Sequence, residues 1–452
     1  MKRNLTTGSV PKSVLLFSLP YLLSYFFQTL YGMADLLIIG QFDNVAGTTA
    51  VSIGSQVMHM ITVIIVGLAM GATVNIGQSA GAGDKKKEAK YIGNTVTLFM
   101  GVAVILTIVL LALNKGIVGI MSTPAQAVDG TIKYLIICFS GIPFITAYNI
   151  ISSIYRGMGD SKSPMYFIAV ACVVNVILDY LFIGVIGLGT VGAALGTTLS
   201  QGVSVIVSLI VMIKGKNDFN LSRNDFRPSK EIMNKILKIG IPVALQDGFI
   251  QVSFILITII VNKRGLNDAA AVGIVEKIIS FLFLVPSSML STVSALGAHN
   301  IGAGKPKRAK QVLACAMCIA TLFGLIIGII MQFISKDVVA LFLDKKQAQG
   351  AIVVILGSQY LRGYVWDVFF AGIHFSFSGY FCACGRSEIS FLHNIIAIIA
   401  VRVPGAYLMS KLFTDTLLPM GLATATGSLL SVIVCVIAFL CIRKKENAMI
   451  QN

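Results

Sequence analysis

The chain alternates long apolar stretches with short polar breaks, and the stretches number twelve. They run over residues 14–40, 47–79, 91–113, 130–155, 164–186 and 190–213, then 233–262, 269–299, 309–335, 349–383, 388–410 and 416–442. Each is long enough to cross a bilayer as a helix, which takes about 20 apolar residues. Between the sixth and seventh lies the longest polar segment, Lys214 to Lys238. The pattern predicts an all-α membrane protein. Its twelve transmembrane helices form two six-helix bundles, 1–213 and 233–452, joined by a linker over 214–232.

The two halves carry the same landmarks in the same order. Gly81-Ala-Gly83 after the second span recurs as Gly302-Ala-Gly304 after the eighth. Pro20 in the first span has Pro242 in the seventh, and Gly159-Asp-Ser161 has Gly385-Arg-Ser387. Gly192-Ala-Ala opens the sixth span and Gly421-Leu-Ala the twelfth. An even number of spans per half makes this a parallel repeat, an organisation found in secondary transporters. Matched prolines fit either a moving hinge or a static kink.

Composition agrees with the pattern. Apolar residues make up 56% of the 452 and charged residues 12%, against about 25% charged in soluble domains. The net charge of +16 could suggest nucleic acid, but its placement argues otherwise. With the N-terminus inside, inward segments hold 24 Lys and Arg and outward segments seven. That asymmetry sets orientation, puts both termini in the cytoplasm of a bacterial inner-membrane protein, and excludes a nucleic-acid partner. The eight cysteines, Cys315-x-x-Cys318 included, sit mostly in apolar runs and read as small buried hydrophobes. The first stretch is too long for a signal-peptide core and reads as a retained span.

Asp84, Glu88, Asp218, Asp225, Asp337, Asp344 and Glu446 fall in loops and read as solvated. Asp35, Asp179, Asp247, Glu276 and Asp367 fall inside spans, where an acid is a functional hypothesis by default. Asn175 and Asp179 are four apart and share a helix face, and the sixth span offers Thr197 and Thr198. Two acids with an amide and a hydroxyl can hold a proton or give a hard monovalent cation an oxygen shell. The alternative is a helix cap or an ion pair. By the repeat offsets, the counterpart of Asp35 falls near Ile257 or Thr258, and that of Asp179 near Gly405 to Leu408. Neither is acidic, so the cluster belongs to the first half alone. Asp247 with Gln251, Gln246 beside them, and Asp367 with His374 are secondary candidates; burial against Arg362, Arg402 or backbone is the plainer reading. His59, His299 and His393 read as structural. No Walker A loop, nucleophile–base set, metal motif or cofactor motif is present, so the chain reads as a non-enzyme.

The run Asn175-Val-Ile-Leu-Asp179-Tyr-Leu-Phe-Ile, followed by Gly189-x-Val-Gly192-Ala-Ala-Leu-Gly-Thr197-Thr-Leu-Ser-Gln201, resembles the span-five and span-six signature of MATE (multidrug and toxic compound extrusion) transporters. The two Gly-Ala-Gly loops and Asp35 do so too, and the first half is most similar to the DinF-type branch. The resemblance covers nearly the whole chain. It implies a V-shaped pair of bundles and export of cationic or amphipathic drugs in exchange for H+ or Na+. It implies a cation site at Asp35, Asn175, Asp179 and Thr197, a monomer, and no cofactor beyond the coupling ion. Gln28, Tyr31, Gln246, Gln251, Asp367 and His374 are candidates for substrate contact. NorM-type members carry a span-seven acid where this chain has Ile250 or Gln251, and a span-ten acid near Ile373 or His374, which leaves a second-half ion site in doubt. The rival is a lipid-linked oligosaccharide flippase of the same superfold. It would need a basic cleft, for which Arg362 and Arg402 are the candidates.

Overall fold

The computed structural model describes residues 5–214, 221–342 and 348–451, with the side chains of 348, 349 and 445–451 left aside. Part of the 214–232 segment, with Asp218, lies outside the described residues, as does Asp344, and the side chain of Glu446 is not described. Among the described residues every regular element is helical. In chain order they are α1 (Val10–Phe42), α2 (Val45–Gly81), α3 (Lys85–Ile120), α4 (Val128–Ser140), α5 (Ile142–Gly157), α6 (Lys162–Asp179) and α7 (Gly189–Lys214). Then follow α8 (Lys230–Asn262), α9 (Leu266–Leu282), α10 (Leu284–Gly302), α11 (Pro306–Ala340), α12 (Ala348–Tyr364), α13 (Trp366–Ala383), α14 (Ser387–Ala397), α15 (Val403–Leu412) and α16 (Leu418–Gln451). A π-helical turn continues α6 over Tyr180–Val185, and another joins α14 to α15 over Ile398–Arg402.

The sixteen helices fill the twelve apolar stretches because four stretches hold a bent or broken pair. Ten helical spans are long and apolar enough to cross a membrane, and α4 with α5, bent by 47°, makes an eleventh. Pro143 at the start of α5 accounts for that bend, since proline removes a backbone donor and clashes with the preceding turn. The twelfth is α12 with α13, interrupted at Val365 and made less apolar by Arg362, Asp367 and His374. Several helices outrun the apolar stretches: α3 starts at Lys85 and ends at Ile120, because the backbone ladder continues past the hydrocarbon boundary.

Backbone contacts divide the chain into two compact units. One is built mainly from Leu19–Ala244 and the other from Leu245–Ile301 and Lys305–Asn452, with Thr6–Ser18 and Gly302–Gly304 exchanged between them. The repeat is visible in the caps. Gly83 and Gly304 take φ of 73° and 69°, and Gly159 and Gly385 take 91° and 71°. After each glycine the next backbone N–H donates five residues back: Asp84 to Ser79, Lys305 to Asn300, Asp160 to Tyr155 and Arg386 to Phe381, at 2.8 to 3.1 Å. This Schellman closure needs a left-handed residue, which glycine supplies without a Cβ penalty.

Inside each unit the helices close on small residues, as expected where lipid removes the hydrophobic drive for association. Gly54 receives the ring of Tyr134, and Gly372 meets the backbone at Ala320. The first unit packs Ile39, Val51, Phe139, Ile142 and Ala194 into one apolar core. The second packs Val272, Val275, Tyr360, Leu361 and Val368 into another. Large apolar side chains such as Ile105, Ile108, Ile329 and Phe333 stay exposed, as lipid-facing positions do. The loop acids divide. Asp84 caps α3 through Lys87 N–H at 3.0 Å, Asp225 closes a capping box with Ser222, and Asp337 is exposed. Glu88, read from the sequence as solvated, is instead buried and paired with Lys85 at 2.9 Å, because the first turn of α3 turns that side chain inward.

Candidate functional site

The first unit brings two intramembrane acids together. Asp35 projects from the C-terminal part of α1 and Asp179 ends α6, and both are buried. The two carboxyl groups are close enough to feel one another's charge. Thr197 on α7 donates its hydroxyl to Asp35 Oδ2 at 3.0 Å. Asn175, one turn before Asp179, donates its amide to Asp179 Oδ2 at 3.2 Å. The i, i+4 spacing read from the sequence is what places that amide beside the acid.

Local backbone features aim the Asp179 carboxylate. The α-helix gives way to the π turn immediately after it, and π bulges often mark functional positions. Across the helix pair, the bare Cα of Gly196 receives Asp179 Oδ1, in the space a Cβ would occupy. Gly196 was not singled out in the sequence, although it stands next to Thr197 in the quoted run. Tyr134, Cys138 and Tyr31 complete the surroundings of Asp35, and the Tyr134 hydroxyl shares a hydrogen bond with Ser55 at 3.1 Å.

Three oxygens of this cluster, Asp35 Oδ1, Asp179 Oδ1 and Asn175 Oδ1, accept no hydrogen bond from the described residues. Buried acceptors normally find a donor. Among the described residues no basic side chain pairs with either acid. The arrangement is acceptor-rich, oxygen-only and short of positive charge, which suits a shared proton or a hard monovalent cation.

The remaining candidates are more scattered. Gln28 and Tyr31 are half-buried on α1, with Tyr31 packed near Tyr148 and Phe167. In the second unit Gln246 is buried and accepts from Ser390 at 2.5 Å, so its amide oxygen is committed to α14. Gln251 and Asp247 are half-buried on α8. Asp367 is buried and stands 3.7 Å from the Arg402 guanidinium, the plainer of its two readings. His374, also buried, borders a cavity of about 50 Å³ with Phe254, Phe283, Asn394, Arg402 and Ser428. His393 shares a 2.8 Å hydrogen bond with Ser378, and Glu276 accepts from Thr258 at 3.4 Å.

Comparison with known proteins places the chain in a family. A family model described as MatE matches residues 20–181 and 242–408. The chain belongs to the MATE family of transporters. It is therefore a multi-pass membrane transporter, not an enzyme. It is 30% identical over 406 residues to the probable multidrug resistance protein YpnP of Bacillus subtilis, covering 90% of this chain and 89% of that one. It is 25% identical to the multidrug export protein MepA of Staphylococcus aureus, covering 89% and 88%. Its fold matches a crystal structure of MATE in complex with MaL6, with a TM-score of 0.90, 22% identity and 99% of each chain covered. An outward-facing multidrug resistance MATE transporter matches with the same TM-score and identity, covering 100% of this chain and 99% of that one. The MATE fold, with twelve helices in two lobes, is the fold of this chain.

Proposed function

We propose that this MATE chain is a cation-coupled antiporter that exports cationic or amphipathic small molecules in exchange for H+ or Na+. The coupling ion is held in the first unit by Asp35, Asn175, Asp179 and Thr197. The observation that carries this reading is the buried acid pair with three oxygens that receive no donor. Two carboxylates in hydrocarbon surroundings need a compensating charge, and intramembrane acids mark ion pathways. A proton shared between the acids would supply it. So would Na+ resting on the carboxylate, amide and hydroxyl oxygens. Binding shifts the balance between inward- and outward-facing states only if the ion has different affinities for them. The acids sit on α1 and α6 and the hydroxyl on α7, so relative movement of these helices would change the site's oxygen count. Gln28 and Tyr31, on the same helix as Asp35, are the substrate contacts this reading favours.

The flippase reading asks for basic side chains available to a diphosphate. Arg402 is already engaged by Asp367 and Tyr364, and Arg362 Nε donates to Ser335 Oγ at 3.0 Å. Their commitments support the antiporter over that rival. The chain would act in the bacterial cytoplasmic membrane with both termini inside, as the Lys and Arg asymmetry suggests.

The test is efflux of ethidium from cells lacking their main pumps, comparing wild type with Asp35→Asn, with and without a sodium gradient. Efflux abolished by the substitution supports the proposal, and the sodium response chooses the ion. Undiminished gradient-driven efflux by the variant refutes the site.

A further inference from the structure

The fifth and sixth spans of the two halves pack against each other in the same steps. In the first half the backbone of Phe182 meets the bare Cα of Gly192, and three residues earlier Asp179 fills the space at Gly196, four residues later. In the second half Gly405 meets Ala423, and three residues earlier Arg402 covers Gly427, four residues later, with its Cβ 3.0 Å from the position a glycine Cβ would take. Each ladder passes a π-helical turn on its fifth span. The matching steps make Arg402 the counterpart of Asp179, a few residues before the Gly405 to Leu408 stretch to which the loop landmarks pointed. The two halves thus hold opposite charges at one place of the fold.

The surroundings of Arg402 are correspondingly inverted. Its guanidinium is buried. It donates to Tyr364 Oη at 2.8 Å, stands 3.7 Å from Asp367 Oδ2, and lies over the Phe254 ring at 5.0 Å. Ser428 on α16 is close to Asp367. The other titratable groups facing the pair are Tyr360 on α12, Glu276 on α9 and His374 on α13; Glu276 has Lys277 and Thr258 at its own side. Asp367, fully buried, has Arg402 as its ion-pair partner at 3.7 Å, and neither of its carboxyl oxygens accepts a hydrogen bond from the described residues. Among the described residues, Asp35 and Asp179 have no basic side chain in that role.

We infer that Arg402 is a resident cation: it neutralises Asp367 permanently, where Asp35 and Asp179 must take up a mobile ion. Each half then keeps a buried carboxylate compensated, one by a tethered guanidinium and the other by the transported ion. The second half therefore contributes no coupling ion, and ion stoichiometry is set by the first half alone. Removing the guanidinium exposes a buried carboxylate that must acquire a proton, turning a structural ion pair into a proton site. The contrast with the first half rests on the antiport reading above; the charge state of Asp367 does not.

The decisive measurement is the infrared absorption of protonated carboxyl groups in the purified full-length protein at neutral pH. Asp367→Asn should remove no protonated-carboxyl absorption from wild type. Arg402→Met should add one such group, Arg402→Met with Asp367→Asn should lack it, and millimolar guanidinium should diminish it in Arg402→Ala. Loss of a protonated carboxyl from wild type on Asp367→Asn overturns the inference, as does a folded Arg402→Met protein with no added band. If Arg402→Met does not fold, the comparison of wild type with Asp367→Asn still decides. A wild type that moves no ethidium would sink the antiport reading and leave the infrared result standing.

Discussion

Thr197 on the sixth span donates its hydroxyl to Asp35 on the first, 162 residues earlier, at 3.0 Å. The bond engages one carboxylate oxygen, and the other, Oδ1, accepts no hydrogen bond from the described residues. A hydrogen bond to a charged group contributes about 1.5–3 kcal/mol, or roughly a tenfold to hundredfold change in an equilibrium constant. Thr197→Val should therefore weaken the apparent affinity for the coupling ion by about tenfold or more, with the maximal ethidium transport rate retained. Thr197→Ser should stay near wild type. Initial rates against ion concentration in vesicles check this, and equal ion dependence in all three proteins would contradict it.

Gly196 is the floor of the site. A Cβ there collides with Asp179 Oδ1, so Gly196→Ala must displace the carboxylate. Overpacking of this kind costs about 1–3 kcal/mol. The expected result is a stable, well-expressed protein that has lost ion coupling as fully as Asp179→Asn. Gly101 on α3 has open space around its Cα, and Gly101→Ala serves as the control that should change neither thermal stability nor transport.

The twelve spans, the duplication and the acid cluster were all legible in the sequence, for physical reasons that differ. Span length follows from apolar run length, and the repeat follows from cap glycines whose left-handed backbone restricts what can replace them. Asn175 and Asp179 are linked by helix periodicity alone. Their grouping with Asp35 was read from intramembrane acids whose repeat counterparts are not acidic, and the family resemblance then agreed, since no local rule connects α1 to α6. The role of Gly196 and the counterpart relation of Arg402 were not legible. Both depend on the register between two helices, and loop landmarks locate that register only to within a turn. Glu88 was misread because a charge near a loop looks solvated until the orientation of its helix is known.

The Gln246–Ser390 bond ties α8 to α14 inside the second unit, with both residues buried. Ser390→Ala removes the donor and leaves an amide oxygen buried, at a cost of about 1–3 kcal/mol. Gln246→Leu combined with Ser390→Ala removes both partners and should recover part of that loss. Thermal unfolding of the purified single and double variants checks this. A double variant no more stable than the simple sum of the singles would show that the two residues do not act as a pair.

Arg264 follows α8 and closes the second unit at the loop between α15 and α16. Its Nε donates to Asp268 at 3.1 Å, one terminal nitrogen donates to the carbonyls of Ser410 and Phe413 at 2.8 and 2.9 Å, and the other to Thr414 at 2.8 Å. The side chain is only 8% exposed, so these carbonyls have little water to turn to. Lysine keeps the charge but offers a point donor in place of a planar fork. It cannot reach the carboxylate and three separate carbonyls together. Arg264→Lys should lose about 2–4 kcal/mol through charge-assisted bonds left unmade, and Arg264→Met more. The loop should also open to proteolysis near Thr414 before the rest of the chain, because its carbonyls are what the guanidinium holds. Thermal unfolding and timed digestion of the folded protein test both effects. Wild-type digestion at that loop in Arg264→Met would show that the α15–α16 connection is held by its own packing.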